Sequence, residues 1–358
     1  MKSSLSSIDS FLQKINNRIE KNIHISDETS SFFRIILSLN ILLFFCPDYT
    51  WISEIPETLY NPLYFNISRI YGNFPPKWYL VITSYISLIS IMFIGIGLKT
   101  RFFSRLYAIL LIINAAFIYS FGKIDHGILL PVTLLCLSFS NWGTCYAVAP
   151  DKASSLHLKS YQIVALCLIF GMFSAGLGKL IVWLDFDLST NGFLSWFYQR
   201  YFSLGSRNLL ANTVFYFPRI LVESFDYIAI VFELSPLYFL LKSKKHWLLW
   251  LIVAILFHIT NTLLLNIPFW ANGIIYFSFI IGHYKLKISS RLTKTLHYLV
   301  ISFFVIILIE RLFLGINKSY LFLDLSNLNI RTTLTVALIL WIILFFIALN
   351  AMFKKKVD

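Results

Sequence analysis

The chain has 358 residues, of which 58% are hydrophobic, 18% aromatic and only 13% charged. A soluble domain carries about 25% charged and about 45–50% apolar residues, so this composition excludes a soluble globular enzyme, a disordered tail and a secreted disulfide scaffold. The net charge of +13 fits Lys and Arg gathered in cytoplasmic loops better than it fits nucleic-acid binding, and Cys46, Cys136, Cys145 and Cys167 are too scattered for metal or redox chemistry.

Residues 7–24 read as an amphipathic helix. Ile8, Phe11, Leu12, Ile15 and Ile19 recur at helical spacing, with Lys14, Arg18 and Lys21 between them. Such a stripe lies on a membrane surface or packs on the protein's own cytoplasmic loops, and the pattern does not choose between the two. Residues 1–30 are too polar to hold the apolar core of a signal peptide. Apolar runs follow at 32–46, 78–98, 103–121, 124–141, 160–184, 222–241, 246–266, 268–284, 297–313 and 332–353. Several approach the roughly 20 residues that cross a bilayer. The first, fourth and eighth are short; Pro131 lies in the fourth, and Pro268 and Asn272 weaken the start of the eighth. The pattern therefore predicts an all-α polytopic bundle of nine or ten transmembrane helices. No Ser/Gly linker divides it. One domain is expected, with an interfacial segment at 1–30, a membrane core at 31–285 and additional helices at 286–358.

Orientation follows from the basic residues. With ten crossings and both termini cytoplasmic, the inner segments hold 19 of the 30 Lys and Arg residues, and the outer connections hold 8. Arg34, Lys179 and Arg311 fall inside the runs. This places the 185–221 connector outside, in a plasma or inner membrane.

Ionisable groups within a span are costly and are functional candidates by default. Arg34, near the inner start of the first run, reads as a snorkelling side chain. Glu310 and Arg311 read as solvated residues near the outer end of theirs. Lys179 follows Gly171, Ala175, Gly176 and Gly178, small residues that permit close helix approach. It sits either at a crowded helix junction or reaches outward to Asp185 or Asp187. His258 shares a polar face with Asn261 and Thr262. A membrane histidine reads first as a helix-to-helix hydrogen bond and second as a catalyst. Glu233, mid-run, needs a partner or a proton. His126, Lys179 and His258 all fall on the outer side of the expected topology, which predicts one outward-facing cavity with Glu233 turned toward protein. No metal site is expected.

At these residues the chain resembles the horizontally transferred transmembrane (HTTM) domain family, related to the membrane part of vitamin K-dependent gamma-carboxylase. The resemblance covers about residues 25–285. It rests on Phe33-Arg34-Ile35, Gly97-Leu98-Lys99-Thr100-Arg101, Asp125-His126, Ala175-Gly176-Leu177-Gly178-Lys179-Leu180, Glu233-Leu234-Ser235-Pro236-Leu237, and Phe257-His258-Ile259-Thr260-Asn261 followed by Ile267-Pro268-Phe269. Gly178 and Ile181 depart from the carboxylase pattern, which has Lys and Asp there. The resemblance implies that Lys179 deprotonates a reduced, vitamin K-like quinone, which then reacts with oxygen and acts as a strong base toward a glutamate side chain. It gives His126 and His258 supporting catalytic positions, and Asn261 and Glu233 places beside the cofactor. Lysine serves as a base only when neutral, and apolar burial favours the neutral amine.

The expected function is thus a carboxylase-like membrane enzyme acting on a lipid quinol, a peptide or both from the outer face. A second branch of the family implies a factor for maturation or export of a small secreted peptide toxin of the sporulation-delaying type. A transporter or structural membrane protein, in which the polar residues only join helices, is the third reading.

Overall fold

The structure, a computed structural model, describes residues 2–120, 126–185, 187–313 and 330–354. Among them every named element is helical, and the only β pairing is an isolated bridge between Leu98 and Ala149. Thirteen α-helices follow in chain order: α1 (Lys2–Asn22), α2 (Asp27–Phe44), α3 (Lys77–Ile96), α4 (Thr100–Ile118), α5 (Leu129–Leu137), α6 (His157–Trp183), α7 (Gly192–Tyr198), α8 (Arg219–Leu234), α9 (Pro236–Lys242), α10 (Lys244–Leu265), α11 (Trp270–Ile281), α12 (Ser290–Phe313) and α13 (Ile330–Phe353).

Six of these, α3, α4, α6, α10, α12 and α13, are long and apolar enough to cross a membrane, and α8 with α9 forms a seventh if a 47° bend is counted within one span. Length and composition make the chain a multi-pass membrane protein. The ten apolar runs do not all become full-length helices, and the reasons are local. In the fourth run α5 has only 9 residues, about 14 Å at 1.5 Å per residue, which is under half of an apolar layer of about 30 Å. The sixth run is broken at Ser235 because Pro236, at the first position of α9, has no N–H to continue the ladder of α8. The eighth run loses its start because Asn266 and Phe269 are left-handed, so α11 has only 12 residues.

The chain divides into two compact units that do not follow chain order. The first comprises 1–24, 165–284 and 329–358. In it α13 packs along α10 and α11, and the last turn of α1 packs on α9 and α10. The Asn22 amide donates to the Leu240 carbonyl (2.7 Å) and Ile19 is buried, whereas Phe11 and Leu12 remain exposed. A cluster around Phe193, Phe197, Val214, Val222 and Leu264 closes one end of this unit.

The second unit comprises 25–164 and 285–328. Ser26 caps α2 by accepting from the Thr29 N–H (3.2 Å), with Asp27 and Glu28 in the first turn, where the helix dipole favours them. Gly95 brings α12 against α3, because an added Cβ there would lie 2.8 Å from Val300. Gly97 ends α3 at φ +77°, a conformation that favours glycine.

Three charged positions in this unit correct their sequence reading. Arg34 does not snorkel. It is fully buried and donates to the Tyr146 carbonyl and to Thr100 Oγ1 (3.5 Å). Nor are Glu310 and Arg311 solvated: both are buried, and Arg311 donates to the Pro47 carbonyl (2.7 Å). A guanidinium can stay inside because it spreads its charge over several fixed donors that carbonyl oxygens can satisfy.

Candidate functional site

The site is assembled in the first unit. Gly176 is buried on α6, and a Cβ there would sit 2.9 Å from the Glu233 Cβ. Only glycine lets the end of α8 come this close. One turn later on the same face of α6, Lys179 Nζ donates to Glu233 Oε1 as a salt bridge. The Glu233 side chain is 4% exposed and that of Lys179 21%, so the carboxylate is enclosed while the lysine side chain is partly exposed. Lys179 therefore pairs across helices, not with Asp185 or Asp187. Those two acids hold their own loop: Asp185 accepts from the Asp187 N–H and the Thr190 hydroxyl, and Asp187 from the Ser189 N–H. These hydrogen bonds to the charged form hold both carboxyls below their ordinary value.

The small residues before Lys179 do not act together. Gly171 and Gly178 are exposed, with nothing within 4 Å of an added Cβ. Of the three glycines in the run, Gly176 alone makes the close approach.

Aromatic rings wall the ammonium. Lys179 Nζ lies 5.3 Å from the Trp183 ring centroid and 5.9 Å from that of Phe257, within cation–π range. Trp183 is held by Gly192, where an added Cβ would fall 2.1 Å from the indole. Gly192 is fixed in turn by Asp226 on α8, whose two carboxylate oxygens accept from the Gly192 and Phe193 N–H groups at 2.8 Å each.

His258 is on α10 next to Phe257, the ring that Lys179 Nζ faces, and the Phe257 and His258 ring centroids are 5.6 Å apart. Its Nε2 shares a hydrogen bond with the Tyr276 hydroxyl (3.0 Å). Its ring stacks on Trp341 at 4.9 Å and 18°. The Trp341 indole donates to the Pro268 carbonyl (2.7 Å), which fixes the stacking surface. His258 Nδ1 has no hydrogen-bond partner among the described residues. Asn261 serves the helix end, its carbonyl accepting from the Ile267 N–H (3.2 Å) and from the Asn266 N–H. His126 opens a 3-10 turn, His126–Ile128, in the second unit; its side chain, like residues 121–125, lies outside the described residues.

The structure therefore brings Lys179, Glu233 and His258 into one neighbourhood. Sequence reasoning missed four contributors. Asp226 had a visible signal, since Glu223 and Asp226 are two acids one turn apart on an apolar helix. Tyr276, Trp341 and Trp183 had none, because aromatic residues on apolar helices read as core.

No protein-family model, characterised protein or solved structure compared with the chain matches it.

Proposed function

We propose that the protein is an HTTM-type, carboxylase-like membrane enzyme that uses Lys179 to take a proton from a lipid-soluble quinol, a peptide or both from the outer face of a cell membrane. The observation that carries this reading is the Lys179–Glu233 pair, an amine and a carboxylate sharing a hydrogen bond between two aromatic faces. When the shared proton rests on Glu233, Lys179 is a free amine and accepts a proton at Nζ. The quinolate formed in that step carries the negative charge beside the new ammonium, and Glu233 stays a neutral acid, so the pair of charges is created together inside the bundle. Trp183 and Phe257 offer flat apolar walls for a planar ring, and His258, oriented by Tyr276 and Trp341, has a buried Nδ1 with no hydrogen-bond partner among the described residues. These residues fit a reduced quinone, which supplies an acidic hydroxyl and two electrons. In this reading Asn261 lies beside the same ring.

The reading includes both termini in the cytoplasm and ten crossings. If the basic connections stay inside, α4 and α6 both run outward, as do α10 and α12. Each such pair then needs a return, supplied by the shorter segments around α5 and α11. By the same logic α2 precedes α3, and bent α8–α9 lies between α6 and α10. In a cysteine-free background, Thr190→Cys should label from outside intact cells and Lys245→Cys should not; the reverse pattern overturns the topology.

The activity test uses the full chain in nanodiscs with a reduced naphthoquinone. Lys179→Ala should abolish quinol-dependent oxygen uptake at normal expression. Lys179→Arg should not restore it, because guanidinium stays protonated. Full activity in the Arg variant would instead make Lys179 a fixed positive charge and end the base reading.

A further inference from the structure

The connection between α2 and α3 holds an unusual surface. Tyr64, Phe65, Ile67, Ile70, Tyr71 and Trp78 are all more than half exposed, Phe65 and Ile70 at 93% and 90%. These residues border α3 where it begins, at Lys77-Trp78-Tyr79, and α4 where it ends, at Ile118. Trp and Tyr at the end of a span mark the membrane–water boundary, so the surface sits at headgroup level. Its backbone is fixed. Asn66 caps a 3-10 turn by accepting from the Ser68 N–H (3.0 Å), and its amide donates to the Ala116 carbonyl on α4 (2.8 Å). Asn61 N–H donates to the Ser120 carbonyl (2.8 Å).

Beneath this segment lies an apolar groove of about 270 Å³, lined by Ile70, Tyr71, Tyr79, Ile113, Phe117 and Ser68 among others. Phe117 forms its floor, with the Tyr71 and Tyr79 rings edge-on at 5.6 and 6.5 Å. Ser68 is 2% exposed, and its Oγ has no hydrogen-bond partner among the described residues. A buried hydroxyl left alone is costly, and Ser68 is one of the residues that line the groove. The exposed Arg69 follows Ser68 in the chain, its guanidinium 5.0 Å from the Tyr64 ring centroid.

We propose that this groove is a binding site for a membrane phospholipid: one acyl chain lies on Phe117, its ester carbonyl accepts from Ser68 Oγ, and its phosphate rests on Arg69. Each feature matches one part of that molecule. The volume lies just below the range of about 300–1,000 Å³ typical of ligand pockets, which suits a single chain segment with the rest of the lipid in the bilayer. The guanidinium suits a phosphate, which it engages through two parallel donors. The proposal does not depend on Lys179 or on quinol chemistry.

The test is native mass spectrometry of the full chain released from detergent after extensive washing, with phosphatidylglycerol or diacylglycerol added back. Wild-type protein should retain one phosphatidylglycerol. Ala116→Trp, which fills the groove, should lose it. Ser68→Ala should lower retention about fivefold, the effect of one hydrogen bond, and so covers the case in which the Trp variant fails to fold. Unchanged retention in both variants would overturn the site. Equal retention of diacylglycerol would overturn the role of Arg69. A mass of two chains without lipid, abolished by Ala116→Trp, would show that the groove seats a second copy and would overturn the lipid.

Discussion

Lys179 in one unit and Arg34 in the other are cations on apolar helices, and they are neutralised by different means. Lys179 faces a carboxylate, Glu233, and keeps 21% side-chain exposure. Arg34 has no exposure, and its hydrogen-bond acceptors are a backbone carbonyl at Tyr146 and a hydroxyl at Thr100. Tyr146 is itself left-handed, at φ +46°, and its carbonyl also accepts from His297 (3.1 Å). Arg34 thus locks a strained turn, and neutral acceptors leave it nothing to exchange a proton with. Lys179 has a carboxylate partner and a partly exposed side chain. That combination is what the proposed base chemistry requires, whereas Arg34 holds a turn in place.

The largest expected effect lies on the Arg34 side. A Cβ at Gly97 would fall 2.0 Å from Arg34 Nη1 and 2.5 Å from the Ala147 Cβ, at φ +77°. Left-handed strain of about 1–2 kcal/mol and overpacking of about 1–3 kcal/mol should together destabilise Gly97→Ala by about 2–5 kcal/mol. Thermal unfolding in detergent measures this, and a neutral outcome would mean that the Arg34 lock is loose. The next effect is on the Lys179 side. Glu233→Leu leaves the ammonium without its counter-ion. Breaking a fully buried pair costs about 3–5 kcal/mol, and the partial exposure of Lys179 reduces this to about 1–3 kcal/mol. Lys179→Met combined with Glu233→Leu should recover most of that stability while remaining inactive. If the double variant is as unstable as the single one, the pair is not the reason for the loss.

The helical, multi-pass character was legible because composition and apolar runs report burial in lipid directly. The number of full-length helices was not, because a run of apolar residues does not reveal where Pro236 breaks a ladder or where Asn266 turns left-handed. Lys179, Glu233 and His258 stood out singly, since charge on an apolar helix is conspicuous. Their partners were not legible: Glu233 is 54 residues from Lys179, and only the close approach at Gly176 joins them. Arg34 was misread for the same reason. Its acceptor, the Tyr146 carbonyl, lies 112 residues away and is a backbone atom that any sequence would offer.

A smaller contrast separates two glycines of α6. Gly176→Ala should weaken the fold and separate Lys179 from Glu233, since the new methyl meets the Glu233 Cβ at 2.9 Å. Gly178→Ala meets nothing within 4 Å and should gain about 0.5–1 kcal/mol through helix propensity. Opposite signs at positions two residues apart would confirm that the approach is made at one point. Equal signs would mean that α8 is free to shift along α6.

The smallest effect near neutral pH concerns a third cation. Lys244 resembles Arg34 in being held by carbonyls, those of His24 (3.2 Å) and Gly282 (2.8 Å). With no carboxylate paired to it among the described residues, a neighbouring group should resist becoming a cation. His283, beyond the end of α11, is pushed down to about 4 from 6.5, by burial first and by Lys244 second. The folded chain therefore keeps His283 neutral where the unfolded chain has already bound a proton. Stability should be flat above about pH 6.5, fall as the pH drops toward about 4, and level off below that for this group. Unfolding temperatures of wild type and His283→Gln, compared from pH 7.5 to 4.5, isolate its share from that of the carboxylates. The two curves should run parallel above pH 6.5 and converge or cross below it, because the Gln variant has no proton to take up. Parallel curves throughout would place His283 in solvent and remove Lys244 from the set of carbonyl-held cations that Arg34 represents.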